Sequence, residues 1–328
     1  MPVQSHSEAA EAAIAEEMRL DERVFCMATS PPPALVAEFG ASRVRQTPIA
    51  ESAVTGMAVG AAGSGMRPIV LWSCVNFSFV AFDQVVNQAA RIRYMFGGQR
   101  DFPIVFRARY LNGTRSAAQH SQTGYALYAH AGGLKIVVPS SAADAKGLLK
   151  AAIRDPNPVL FFESDRLADV REEVSDDAVI RLGIADVKRS GDDVTVVAIG
   201  YMVTLALAAA ARLEQAGISV EVIDPRTLVP LDIETIRSSV RRTGRLVVVD
   251  ESFPTCSLAS EIVTAVVEDT YTLAALRAAP KRVCTLPVPV PFSPPLEDYV
   301  LPGEDRIYEA IAATVQSSGS AVAQRAMQ

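Results

Sequence analysis

Residues 134–163 read LKIVVPSSAADAKGLLKAAIRDPNPVLFFE, and two periodicities alternate within that run. Leu134–Val138 and Val159–Glu163 are short, nearly continuous apolar stretches rich in β-branched and aromatic side chains. Strands apolar on both faces belong in a sheet that is covered on both sides. Between them, residues 141–154 form a helix-length pattern. A strand, a helix and a second strand at this spacing predict a parallel pair. The same alternation runs upstream. Ile69–Trp72 and Pro103–Arg107 are further strand candidates, and residues 51–66, 78–95 and 116–131 carry further helix-length patterns. The fold class expected is therefore α/β with a parallel sheet.

Nearer the N-terminus, residues 8–19 are strong helix formers. Val24–Met27 is a short apolar piece running into Ser30-Pro31-Pro32-Pro33, which is expected to be irregular. Residues 164–190 turn charged and serve as the linker candidate. A second α/β pattern follows: strands at Val194–Ile199, Ser219–Ile223, Arg245–Asp250 and near 282–286, with helices at 203–216, from Asp232, and near 257–268. Gly217 suits a left-handed helix end and Asp232 a helix N-cap. Two domains are expected, 1–180 and a smaller 181–328.

The chain has 328 residues, 49% apolar and 21% charged, enough for two cores. A formal charge of −6 argues against nucleic-acid binding by charge alone. His6, His120 and His130 are its histidines. Cys26, Cys74, Cys256 and Cys284 are too scattered for a zinc ribbon or a disulfide framework, and are expected to be buried thiols of a cytoplasmic protein. The N-terminus lacks the apolar region of a signal peptide, and Ala53–Met66 is too short to span a membrane. Phosphate-loop, zinc-protease and serine-elbow motifs are all missing, and the glycines of GAAGSG at 60–65 end a helix instead of opening one.

Two clusters remain. TPIAESAVTGMAVGAA (47–62) places Glu51 at the start of a small-residue helix, where a carboxylate is either catalytic or simply well placed against the helix dipole. SAAQHSQTGYALYAHAGGLKIV (116–137) holds His120 among polar residues and His130 ten positions on. Each histidine is equally readable as a hydrogen-bonded structural residue.

Taken in order, TPIAE, RPI, NFSF, DQ, NQAA, RYM, GGQ, PIVFR, AAQHSQ and DAKGLLKAAIRDPNPV, followed by VEVIDPRTLVPLD (220–232), VVVDE (247–251) and PLEDYVLPGEDRI (295–307), resemble the beta subunit of the thiamine-diphosphate-dependent decarboxylase component of 2-oxo acid dehydrogenases, of the pyruvate, acetoin and branched-chain type. The resemblance implies a pyrimidine-binding domain of transketolase type followed by a C-terminal transketolase-type domain. It implies that Glu51 hydrogen-bonds the cofactor's pyrimidine nitrogen, that Phe77 packs on the pyrimidine, that Ser73 lies beside the cofactor, and that His120 is the active-site histidine. His130 is expected to support the fold. It also implies a potassium loop at Ile104, Ala152, Ile153, Asp155 and Asn157. A Gly-Asp-Gly motif with a downstream Asn pair, which would hold the diphosphate through Mg²⁺, is absent; the nearest string, Ser190-Gly191-Asp192-Asp193, precedes a strand. The resemblance therefore implies an alpha subunit carrying that motif, in an α₂β₂ assembly with the cofactor at the subunit interface, and a lipoyl acyltransferase core as a further partner.

The departures cluster. CMATSPPPALVAEFGASRVRQ (26–46) is shortened and Pro-rich. IVLWSCVNFSF (69–79) has Trp72, Ser73 and Val75 where the family carries an acidic residue and a Phe. RARYLNGTRSA (107–117) replaces a Gly-rich run. These imply an unusual substrate or acceptor. Arg107 is expected to be structural, whereas Arg109 or Arg115 is a candidate to bind an anionic substrate through its guanidinium. Alternatives are an acyloin- or ketol-forming enzyme, a split-transketolase half, or a catalytically silent scaffold subunit.

Overall fold

The computed structural model describes residues 1–175 and 178–325, with side chains as far as residue 316; Asp176 and Asp177, in the stretch read as a linker, lie outside the described residues. The chain divides into two compact units, residues 1–182 with 227–230, and residues 183–226 with 231 onward.

The first unit is built on a seven-stranded sheet. Its spatial order is Thr227–Val229, Lys135–Val137, Val159–Ser164, Val105–Tyr110, Arg67–Trp72, Val24–Ala28, Val44–Gln46. All neighbours are parallel except Thr227–Val229, which runs antiparallel to Lys135–Val137. The apolar runs make the centre: Ile69 pairs with Val105 and Val105 with Val159, and Phe106, Phe161 and Phe162 are fully buried. Helix His6–Leu20 starts on a capping box, in which Ser5 Oγ accepts the Glu8 N–H at 3.2 Å and Glu8 Oε2 accepts the Ser5 N–H at 2.9 Å. It packs on helix Ala142–Arg154, with Ala10, Ala13 and Ile14 buried against Leu148 and Leu149. A charged seam borders that contact. Lys146, fully buried, and Lys150 each meet Glu16 at 2.8 Å, and Arg154 meets Glu17 at 2.6 Å.

Several expectations are corrected. The tri-proline run is irregular only up to Pro32; Pro33 opens helix Pro33–Arg43, because its fixed φ and missing N–H suit a first helical position. The pattern at 78–95 breaks into a 3₁₀ turn Val75–Ala81, a π turn Gln84–Ala89 and a short helix Ala90–Met95. Of 116–131 only Tyr125–Ala129 is helical, since Arg115, Ala117 and Gly124 all take positive φ. His130, whose side chain is exposed, closes that helix through its backbone N–H. Cys256 is exposed, whereas Cys26, Cys74 and Cys284 are buried as expected. Within the charged stretch, Arg171–Glu173 pairs antiparallel with Val3–Ser5.

The second unit has a five-stranded sheet ordered Lys281–Cys284, Leu246–Asp250, Val194–Ala198, Val220–Asp224, Asp186–Arg189, with only the last strand antiparallel. Asp232 caps its helix by accepting the Thr235 N–H at 3.2 Å, and Gly217, at φ 78°, follows helix Met202–Gln215. Helices Ile233–Thr243, Leu258–Glu268, Thr270–Ala275, Pro294–Val300 and Glu304–Arg325 also belong to it. Among the described residues no helix is long and apolar enough to cross a membrane.

Candidate functional site

In an open α/β sheet, ligands bind beyond the carboxyl ends of the strands where successive connections leave in opposite directions. Here the connection after Val24–Ala28 runs to one side, to Val44–Gln46, while that after Arg67–Trp72 runs to the other, to Val105–Tyr110. The switch point therefore lies between the ends of Val24–Ala28 and Arg67–Trp72. A narrow recess of about 10 Å³ is found at that place, lined by Ala28, Thr29, Thr47, Glu51, Trp72 and Ser73 among others.

Glu51 is the first residue of helix Glu51–Gly63, which has no side-chain cap because Ala50 precedes it. Its carboxylate is half-buried, and among the described residues it has no hydrogen-bond partner. Ser52, next to it, donates to the Val80 carbonyl at 2.6 Å and so ties the helix start to the 3₁₀ turn Val75–Ala81. That turn carries Phe77, whose ring is 38% exposed. The ring meets the His120 imidazole edge-on, with centroids 5.4 Å apart. Cys74, just before the turn, approaches the His120 carbonyl with its thiol at 3.5 Å. Glu51, Phe77 and His120 thus stand on three segments linked by direct contacts, and Ser73 is exposed at the strand end. Trp72 is buried, stacks on Phe106 at 5.0 Å, and has no partner for its indole N–H among the described residues.

Beyond Trp72 is a second cavity, walled by Pro31, Pro32 and Pro33 and lined by Arg107, Arg109 and Glu163. Arg107 is buried and forms a two-pronged pair with the buried Glu163. His6 Nδ1 lies 3.3 Å from Glu163. Burial works against the Glu163 charge, but the Arg107 guanidinium holds its pKa below the usual carboxylate range. Burial also depresses His6, with the Glu163 charge opposing it. Arg109 is taken up by Asp165 at 3.2 Å and Ser7 Oγ at 3.0 Å, while Arg115 has a left-handed backbone. Nothing in the periodicity pointed to His6 or Glu163, because their residues come from opposite ends of the unit.

The five positions expected to form a potassium loop lie on hydrogen-bonded neighbouring segments. The carbonyls of Ile104 and Ala152 accept the N–H groups of Val159 at 2.8 Å and Asp155 at 3.3 Å, and that of Ile153 accepts Arg67 at 2.8 Å. The Asp155 carboxylate binds Lys135 and the Asn157 N–H, and the Asn157 side-chain oxygen accepts from Arg93. These are hard oxygen donors of the kind a monovalent cation takes, each with lone pairs to spare, but three basic side chains already surround them.

Thiamine diphosphate needs a carboxyl group toward its pyrimidine nitrogen and an apolar face against its ring. Glu51, which lines the recess, offers the carboxyl group, and Phe77, on the turn that Ser52 ties to the same helix start, offers a partly open ring. The chain matches the family described as "Transketolase, pyrimidine binding domain" over residues 4–170 and "Transketolase, C-terminal domain" over residues 183–307. It is 49% identical over 274 residues, 83% of this chain and 80% of the relative, to the "Acetoin:2,6-dichlorophenolindophenol oxidoreductase subunit beta" of Bacillus subtilis (strain 168). It is 46% identical over 317 residues to the "Pyruvate dehydrogenase E1 component subunit beta" of Rhizobium meliloti (strain 1021), covering 93% of this chain and 68% of that one. It is 42% identical over 326 residues to the "2-oxoisovalerate dehydrogenase subunit beta" of Bacillus subtilis (strain 168), covering 95% and 98%. In fold it is similar to a solved "Split gene transketolase, inactive beta4 tetramer", with a TM-score of 0.80, 24% identity, and 95% and 98% of the two chains covered.

Proposed function

We propose a role in 2-oxo acid decarboxylation from one premise: the chain belongs to the family of beta subunits of thiamine-diphosphate-dependent 2-oxo acid dehydrogenases, transketolase-like in both domains. The observation that carries the reading is the half-buried carboxylate of Glu51 at the switch point, with no hydrogen-bond partner among the described residues, on a helix tied through Ser52 to the turn that carries Phe77 and its partner His120. When bound, thiamine diphosphate supplies an acidic thiazolium carbon and an electron sink for loss of carbon dioxide. Glu51 would hold a proton between its carboxyl oxygen and the pyrimidine ring nitrogen, as a positioned general acid–base group does. Phe77 would offer its open ring as an apolar floor, and Ser73 would border the cofactor. The His120 imidazole would orient the substrate, relay a proton or guide the incoming acyl acceptor.

The described residues include no diphosphate–Mg²⁺ motif, so the reading places the metal and diphosphate on an alpha subunit, in an α₂β₂ assembly that hands its acyl group to a lipoyl acyltransferase. Potassium at Ile104, Ala152, Ile153, Asp155 and Asn157 would use the free carbonyl lone pairs. A substrate anion at Arg109 would have to displace Asp165, and one at Arg115 would have to compete with the contact that residue already makes. The test is reconstitution with the alpha subunit and a panel of 2-oxo acids, with and without a lipoyl domain. Cofactor-dependent decarboxylation by the pair and none by the chain alone is expected. Micromolar binding of thiamine diphosphate by the single chain would sink the shared-site reading, and carbon–carbon bond formation without acyl transfer would favour the ketol-forming class.

A further inference from the structure

We infer that the hydroxyls of Tyr128 and Ser52 are positioning groups for the cofactor site, fixing the Val75–Ala81 turn between the segments that carry Glu51 and His120; this rests on the cofactor reading above. The turn is a 3₁₀ segment, whose own hydrogen bonds are poorer than those of an α-helix, so it depends on outside partners to hold one shape.

Tyr128 and Ser78 are both fully buried. The Ser78 hydroxyl has one proton, and its 2.6 Å contact with the Val75 carbonyl uses it. The 2.7 Å contact between the two hydroxyls must then run from Tyr128 to Ser78 Oγ. The same tyrosine oxygen is 3.1 Å from the Ser78 carbonyl. Burial pushes the Tyr128 pKa up to about 12, so it stays a donor throughout the working pH range. One phenol therefore grips the residue next to Phe77. Tyr128 also belongs to the segment that starts at His120: a Cβ at Gly124 would lie 2.4 Å from Val75 Cγ1, so the backbone between His120 and Tyr125 is pressed onto the same turn. On the opposite side, Ser52 grips Val80 from the residue after Glu51. Two hydroxyls thus fix the turn that carries Phe77 to the segments of Glu51 and His120, and neither lines the recess itself.

The experiment uses the complex reconstituted with the alpha subunit. Thiamine diphosphate affinity is measured by calorimetry, and the melting temperature of the cofactor-free complex is measured beside it. Tyr128→Phe keeps the ring and deletes the donor. It should weaken cofactor binding about tenfold, the equivalent of roughly 1.4 kcal/mol, from one lost hydrogen bond. Ser52→Ala should weaken it in the same direction, and Ser52→Thr, which retains the hydroxyl, should restore it. A merely structural role would lower the melting temperature and leave the affinity unchanged. Wild-type affinity in both Tyr128→Phe and Ser52→Ala overturns the inference. Should Tyr128→Phe fail to assemble, the Ser52 pair decides alone. A wild-type complex that takes up no thiamine diphosphate overturns the cofactor reading itself, a result separate from unaltered binding in the variants.

Discussion

The imidazole of His120 stands edge-on to the ring of Phe77, with their planes at 83° and centroids 5.4 Å apart. Each therefore limits the other's rotation, while Phe77 keeps one side open to solvent. Phe77→Leu should remove the aromatic contact and loosen His120 together. Aromatic pairing is worth about 0.5–1.5 kcal/mol, so thiamine diphosphate affinity should fall by roughly three- to tenfold. Calorimetry on the reconstituted complex checks this.

Glu51→Gln replaces a proton-sharing carboxyl by an amide of the same size at a helix start that has no other side-chain cap. Assembly should persist while turnover falls about 10²–10⁴-fold. Hydrogen–deuterium exchange at the cofactor's thiazolium carbon is the direct probe, and exchange at the wild-type rate would remove Glu51 from the mechanism.

His120→Ala should cost turnover or acyl transfer about 10²-fold, the scale of one lost acid–base group. Stability should change little, since the half-exposed ring contacts Phe77 and the bond from Cys74 goes to the backbone carbonyl. A drop in melting temperature with the rate intact would assign His120 to the scaffold.

The buried set His6, Glu163 and Arg107 makes stability depend on pH, and the sign follows from both groups. His6 has a folded pKa below its ordinary 6.5, so acid favours the unfolded chain once the pH falls through about 6.5. Glu163, held below its ordinary 4.5, adds a second loss as the pH falls through that value. Melting temperature should therefore decline from pH 7 to 5 and more steeply below 4.5. His6→Asn, which keeps a donor toward Glu163, should flatten the upper part of the decline. A variant slope identical to wild type would show that His6 does not carry it.

Glu16 neutralises the fully buried Lys146 and the nearby Lys150. Glu16→Gln leaves the lysine charges facing an amide. Removing one member of a buried pair costs about 3–5 kcal/mol. Because Glu16 is about a quarter exposed, roughly 2–3 kcal/mol is expected, the range of a bond to a charged group. Chemical denaturation of the chain measures it, and a loss under about 0.5 kcal/mol would mean that solvent already screens the lysines.

The sheet was legible because its strands are apolar on both faces: Val159–Glu163 and Ile69–Trp72 read as strands from composition alone and appear within a residue or two of the expected ends. Helices of uniform composition, such as 51–63 and 142–154, were equally plain. What failed were segments shaped by single residues. Gly124 announces a left-handed break in 116–131, but its necessity comes from Val75, which lies far off in sequence. The 78–95 pattern has helical spacing, yet a buried hydroxyl bond to Ser78 and an exposed one to the Val80 carbonyl hold its start in a tighter coil. Glu51, Phe77 and His120 were singled out through long ordered motifs, since no local periodicity distinguishes them. His6 and Glu163 escaped because no local spacing joins a residue at the chain's start to a strand end so much later.

Residues Thr227–Val229 cover the outer edge of Lys135–Val137 although the chain has already built part of its second unit before reaching them. A ribosome that has released residues 1–182 has therefore made six of the seven strands and left a raw row of N–H and C=O groups on the seventh's partner. Such an edge is a template for pairing with another chain. Excising the first unit at its apparent boundary would leave the same ragged border, and grafting the 227–230 peptide onto that fragment would be the way to close it.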